Sequence, residues 1–137
     1  MTGLVVCVVV LAVATTFGLL RAGRDGRMRV GTTDGTVRLS EAELGGPLGE
    51  RATLVQFSTV FCQPCRATRR VLAEVAGMVE GVAHVEVDAE ERLELVRRLE
   101  VRRTPTVLVL DADGRVVRRA AGQPRKADVI AALGQAV

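Results

Sequence analysis

Thr53-Leu54-Val55-Gln56-Phe57-Ser58-Thr59-Val60-Phe61-Cys62-Gln63-Pro64-Cys65 is the stretch that decides the fold. Ala52 to Phe57 is a mostly apolar run of strand length. The segment from the cysteine pair to about Val79 then changes to helical spacing, with Val71, Val75 and Val79 on one face and Leu72 and Met78 beside them. Pro64 suits the first turn of that helix, because its missing N–H is one the helix would leave unpaired anyway. Cys62 thus falls where strand gives way to helix. The helix amino end favours a thiolate there. Cys65, three positions on, lies one turn further in and within reach of a disulfide. Arg66, Arg69 and Arg70 add positive potential. Thiol–disulfide exchange needs this division of labour: an exposed thiolate attacks, and a second thiol resolves the mixed disulfide. Cys62 is expected to be the nucleophile and Cys65 the resolver.

The rest of the chain extends the alternation. Thr36 to Leu39 reads as a short strand, and Ser40 with Glu43 as a capping box for a brief helix that Gly45-Gly46-Pro47 ends. Val82 to Asp88 alternates, with Val85 and Val87 one way and His84, Glu86 and Asp88 the other. Ala89 to Leu99 is expected to be an amphipathic helix with Leu93, Val96 and Leu99 inward. Thr106 to Leu110 is a continuous apolar strand, of the kind covered on both faces. Asp113-Gly114 turns it into Val116 to Ala121. Arg125 to Val137 closes the chain as a helix with Val129, Ile130, Leu133 and Val137 inside. This order implies an α/β fold, a central mixed sheet with helices on both faces.

Ahead of it, 3–20 carry no charge and no polar face, which favours a transmembrane helix over a core helix or a cleaved signal peptide. Cys7 is most simply a small lipid-facing residue. The expected division is a transmembrane anchor at 1–20, a basic tether at 21–35 and one domain at 36–137. Arg21, Arg24, Arg27 and Arg29 against Asp25 place the domain in the cytoplasm by the positive-inside rule, the extracytoplasmic face being the alternative.

Composition narrows the function classes. Of 19 basic residues only Lys126 is a lysine, and aromatic residues are 2% with no Trp or Tyr, so base-stacking platforms and nucleic acid as a partner are not expected. Cys7 is set apart, and Cys62, Cys65 and His84 give at most three soft ligands, short of a closed zinc site, so no metal and no cofactor is expected. Asp111, Asp113 and the arginines at 97, 98, 102 and 103 read as turn residues and a solvated face.

The chain resembles the thioredoxin superfamily over about 36–137. The matching pieces are Thr53-Leu54-Val55-Gln56-Phe57, Cys62-Gln63-Pro64-Cys65, Val85-Glu86-Val87-Asp88, Thr104-Pro105-Thr106 and Gly122. Gly35-Thr36-Val37-Arg38-Leu39 is similar to the opening of membrane-tethered, TlpA-like members. The resemblance implies a thiol–disulfide oxidoreductase whose Thr104–Pro105 bond is cis and lies against the cysteines. The Thr104 backbone would then be open to pair with a substrate peptide.

Three departures stand out. Phe61 replaces a common tryptophan, and Gln63 replaces the usual glycine. Gln56 stands where many relatives carry a buried aspartate that relays the proton of the second cysteine, and an amide cannot take that proton up. His84, at the place of a lysine that accompanies the aspartate, is the candidate base for Cys65, with Gln56 orienting it. The expected protein is a membrane-tethered monomer that reduces or transfers protein disulfides, fed by an electron donor. Its alternatives are a redox-sensing binding module and a metal-delivery protein.

Overall fold

In a computed structural model, residues 1–31 and 35–137 are described. The elements are α1 (Thr2–Arg24), α2 (Glu41–Leu44), β1 (Ala52–Ser58), α3 (Gln63–Met78), β2 (Val82–Asp88), α4 (Leu93–Arg98), β3 (Thr106–Asp111), β4 (Val116–Ala121) and α5 (Lys126–Ala136). The sheet order is β2-β1-β3-β4, with β1 and β2 parallel and the other neighbours antiparallel. The expected mixed sheet with helices on both faces is present.

Alternation along β1 explains the two layers. Val55 and Phe57 point to one face, where Val85, Val87, Leu95, Leu99, Leu108, Leu110 and Leu44 close over them. Ala52 and Leu54 point to the other, against Leu72 and Val75 of α3 and Val129 and Leu133 of α5. All seven residues of β1 are buried, as a central strand covered twice must be.

Local chemistry sets the smaller elements. The capping box is formed: Glu43 N–H donates to Ser40 Oγ, and Ser40 N–H donates to the Glu43 carboxylate. That cap holds α2 so that Leu44 enters the core. Ser40→Ala is expected to cost about 1 kcal/mol, measured as a lower midpoint in urea unfolding with an unchanged slope.

Three expectations shift. Residues 36–39 form no strand: Arg38 makes a single isolated bridge to Arg115, and Leu39 N–H donates to Gly114 O, so the segment only brushes the hairpin before Ser40 starts α2. Helix α4 begins at Leu93, not Ala89, because Asp88 holds a turn, accepting from Glu90 N–H on its side chain and from Glu91 N–H on its carbonyl. The later start turns Leu93 outward and puts Leu95 with Leu99 in the core. On α5, Ala132 takes the inner place expected of Ile130, which is exposed, as is Val137.

The basic stretch after α1 is not a free linker where it is described (32–34 lie outside the described residues). Gly26 N–H donates to Ala121 O, and Arg29 exchanges two backbone hydrogen bonds with Arg119, so 26–29 run antiparallel along the outer edge of β4. Asp25 pairs with Arg103. Gly26 is required: its φ is +71°, and a Cβ there would meet Gln123 O at 1.9 Å.

Helix α1 has 23 residues, about 35 Å at 1.5 Å each, and buries none of them in the domain. It is the one helix among the described residues long and apolar enough to cross a membrane. An uncleaved anchor and a signal sequence share that length and composition. Its two interior threonines return their hydroxyls to the helix, Thr15 to Leu11 O and Thr16 to Ala12 O, both at 2.7 Å, so neither needs a partner outside it.

Candidate active site

Strand β1 ends at Ser58, and the chain turns through Thr59 to Phe61 into α3. Cys62 is the residue before the first helical turn, its N–H donating to Thr59 O. Gln63 and Pro64 open the helix and Cys65 completes its first turn. The helix lies against the sheet, so one cysteine faces solvent and the other the core: Cys62 is half-buried, while Cys65 is 1% exposed. They are joined in a disulfide with Cα atoms 5.3 Å apart. Thr68 tightens the turn by donating to Pro64 O. On the solvent side Val60 and Phe61 are 79% and 89% exposed, an apolar rim beside Cys62.

The Thr104–Pro105 bond is cis. Thr106 is opposite Phe57 on β1 and Ala121 on β4, which puts Pro105 at the end of the sheet where the cysteine loop begins. Gly122 N–H donates to Pro105 O at 2.7 Å. A side chain at Gly122 would collide with the Arg103 guanidinium, and its φ of +104° also selects glycine.

Gln56 is fully buried on the α3 side of β1. Its Nε2 donates to Cys65 O at 2.8 Å, while its Oε1 has no hydrogen-bond partner among the described residues. Gln56 therefore contacts Cys65 through its backbone carbonyl. In the parallel register its neighbour on β2 is Glu86; His84 is opposite Leu54, two residues further from the cysteine end, about 7 Å along the strand. Glu86 is held by Arg69 of α3 and accepts from Ser58 Oγ at 2.7 Å. The Arg69 guanidinium keeps its carboxyl below the usual range, outweighing the opposing effect of burial, and the Ser58 hydroxyl adds a lesser contribution in the same direction.

His84 is half-buried, and its Nε2 has no partner among the described residues. Burial pushes its pKa down, partly opposed by the Glu86 charge and reinforced by Arg69. The neutral imidazole is thus favoured in the fold, and the unfolded chain binds a proton more readily below about pH 6.5. The sign follows: the His84 contribution to stability is present above that pH and lost as pH falls through it. His84→Gln is expected to flatten the fall in stability between pH 7 and pH 5, read from urea midpoints. An unchanged slope would show that this histidine is as hydrated folded as unfolded.

The structure thus joins Cys62, Cys65 and Gln56 by direct contacts, and sets Pro64, Thr104 and Pro105 at the same end of the sheet. His84 shares a sheet face with Gln56, one pleat lower. The Ser58–Glu86–Arg69 cluster was missed by sequence reasoning. Pairing the strands in parallel register would have found it, since Glu86 then lands beside Gln56.

An apolar-rimmed dithiol at a helix amino end, on this sheet, defines a thiol–disulfide oxidoreductase. Residues 46–137 match the model of the thioredoxin-like domain family. Over 92 residues the chain is 30% identical to a thioredoxin of Staphylococcus aureus, covering 66% of this chain and 88% of that one. It is 33% identical over 60 residues to thioredoxin H5 of Oryza sativa subsp. japonica, 44% of each chain. Among solved structures, chloroplastic thioredoxin z is similar at 26% identity with a TM-score of 0.55, over 63% of this chain and 78% of that one. A mutant thioredoxin from Halobacterium salinarum NRC-1 shares the fold at 20% identity and a TM-score of 0.57, over 64% of this chain and 75% of that one. The chain belongs to the thioredoxin-like family.

Proposed function

We propose that this protein is a membrane-tethered enzyme that reduces or transfers protein disulfides through Cys62 and Cys65. The observation that carries the reading is the asymmetry of the pair, Cys62 reachable from solvent and Cys65 1% exposed. In the reduced protein the Cys62 thiolate attacks one sulfur of a substrate disulfide and releases the other as a thiolate. The Cys65 thiolate then attacks the Cys62 sulfur, forming the Cys62–Cys65 disulfide and freeing the second substrate thiolate. Two electrons pass to the substrate, whose thiolates take up two protons. A dithiol donor must return the two electrons before the next cycle, and no bound cofactor takes part.

Pro64 starts the helix that favours the Cys62 thiolate. Thr104 and Pro105 supply the backbone edge on which a substrate strand pairs. Gln56 fixes the Cys65 carbonyl, and His84, kept neutral, accepts the Cys65 proton along the same sheet face. For this last role His84→Ala should move the acid limb of the pH–rate profile of disulfide reduction; an unmoved profile removes His84 from the reaction.

The proposed division is an anchor at 1–20, a basic juxtamembrane segment at 21–35 and the catalytic domain at 36–137, acting as a monomer. The arginines at 21, 24, 27 and 29 favour the cytoplasmic side. A Cys7→Ala form tested in intact cells with a membrane-impermeant thiol reagent distinguishes the two faces. Protection of Cys62 in intact cells that is lost when the cells are permeabilised supports the cytoplasmic placement, and rapid labelling in intact cells overturns it. A Cys65→Ser variant, unable to resolve its mixed disulfide, should retain covalently bound partners from the same cells.

A further inference from the structure

We infer that the catalytic end of the domain faces the bilayer, and that the substrate is a disulfide of another membrane protein lying at the lipid–water interface. The inference rests on the membrane-tethered reading above and adds where the substrate must be.

It comes from how α1 joins the sheet. Phe57 is opposite Thr106, and Thr106 is opposite Ala121, so the carboxyl end of β1, the amino end of β3 and the carboxyl end of β4 share one end of the sheet. That end carries the cysteine loop and Pro105. The chain leaving α1 reaches the same end: Gly26 N–H donates to Ala121 O, and Asp25 pairs with Arg103, whose guanidinium also donates to Ala121 O. From there 26–29 run away from the cysteines, since Arg29 pairs with Arg119. Helix α1 therefore joins the domain at the catalytic end, with one residue, Asp25, between its last turn and the anchored Gly26. The docked segment is three strand spacings from β1, about 14 Å. An apolar span that ends at residue 20, followed by about one helical turn to Arg24, cannot hold the domain far from the membrane, nor present its opposite end.

The surface at that end agrees. Arg21, Arg24 and Arg102 are exposed on the β4 side, against Glu100 there and beside the Asp25–Arg103 pair, leaving a net positive face suited to an anionic lipid surface. Val60 and Phe61 project beside Cys62 with almost no cover. On the β2 side of the same end Glu90 and Glu91 are exposed, so the closest approach to lipid is on the β4 side, where α1 departs. A disulfide deep in a soluble partner would have to enter the gap between domain and bilayer. One at the end of a neighbouring membrane helix is already there.

The chain has no tryptophan, so a single one reports position. Phe61→Trp places it at the catalytic rim, and Ala112→Trp places it in the opposite hairpin, about 20 Å away along the strands. The full chain is reconstituted in phosphatidylcholine–phosphatidylglycerol vesicles carrying a headgroup-level quencher. Quenching at 61 and none at 112 is expected. Equal quenching, or more at 112, overturns the orientation while leaving the anchor intact. Failure of the chain to float with the vesicles overturns the anchor and the orientation together. For the substrate, a single-span peptide with its disulfide at the helix end is compared with one carrying it on about ten prolines, about 30 Å out. The surface disulfide should be reduced about tenfold faster; equal rates, or a faster raised disulfide, overturn the substrate assignment.

Discussion

Cys62→Ser is expected to lower catalysed reduction of a model protein disulfide to the rate of the donor alone. The reason is exposure before it is reactivity. Cys65 is closed off from solvent by the sheet and by the first turn of α3, so with Cys62 gone it cannot meet a protein disulfide. Cys7 is in the apolar helix α1, remote from the helix end that favours a thiolate. The serine hydroxyl has the right size but stays protonated and leaves poorly. Cys65→Ser should fail differently: attack by Cys62 still occurs, and the mixed disulfide accumulates because no second thiol can displace the substrate. A non-reducing gel separates the two outcomes, the first variant running as free protein and the second as an adduct that a reductant releases. Turnover retained in Cys62→Ser would contradict the oxidoreductase mechanism and favour a redox-sensing module.

The parts of this mechanism legible in sequence are those that depend on local pattern. The apolar run of β1, the proline after Cys62 and the helical spacing from Val71 to Val79 are consecutive in the chain, and each constrains the next. The cis Thr104–Pro105 bond followed from resemblance to a family, and no local rule would have required it over an ordinary trans proline. What could not be read depends on register or on contacts far apart in sequence. Whether His84 or Glu86 neighbours Gln56 is a matter of how β2 aligns with β1, a shift of two residues that alternation alone does not fix. The course of 25–29 along β4 is invisible in a stretch that reads as a flexible basic tether. Its order comes from unpaired backbone groups on an edge strand, which any chain of suitable conformation can satisfy.

Gln56→Asp should make stability depend steeply on pH in the neutral range. The position is fully buried between two sheet neighbours, and its amide serves one acceptor, the Cys65 carbonyl. An aspartate there is one methylene shorter, gives up that donor when ionised, and has no cation in contact, since Arg69 is engaged by Glu86. Burial then disfavours the charged form, and for a fully enclosed carboxyl the pKa can rise by about 3 to 5 pH units. A folded pKa above the unfolded one means that the native state holds the proton longer. The contribution of this carboxyl to stability is most favourable near pH 4 and declines by about 1.4 kcal/mol for each pH unit above it, until the folded group ionises. Gln56→Leu separates this from simple packing: it removes the partnerless Oε1 along with the donor, so its effect should be modest and the same at every pH. Urea unfolding of the parent and both variants at pH 5 and pH 8 measures the difference. The gap between Gln56→Asp and the parent should widen by several kcal/mol toward pH 8, while that of Gln56→Leu stays constant. A constant gap for both would mean that water or a cation reaches position 56. Ionisation would then cost little, and a carboxylate beside Cys65 could relay its proton without the penalty that the glutamine avoids.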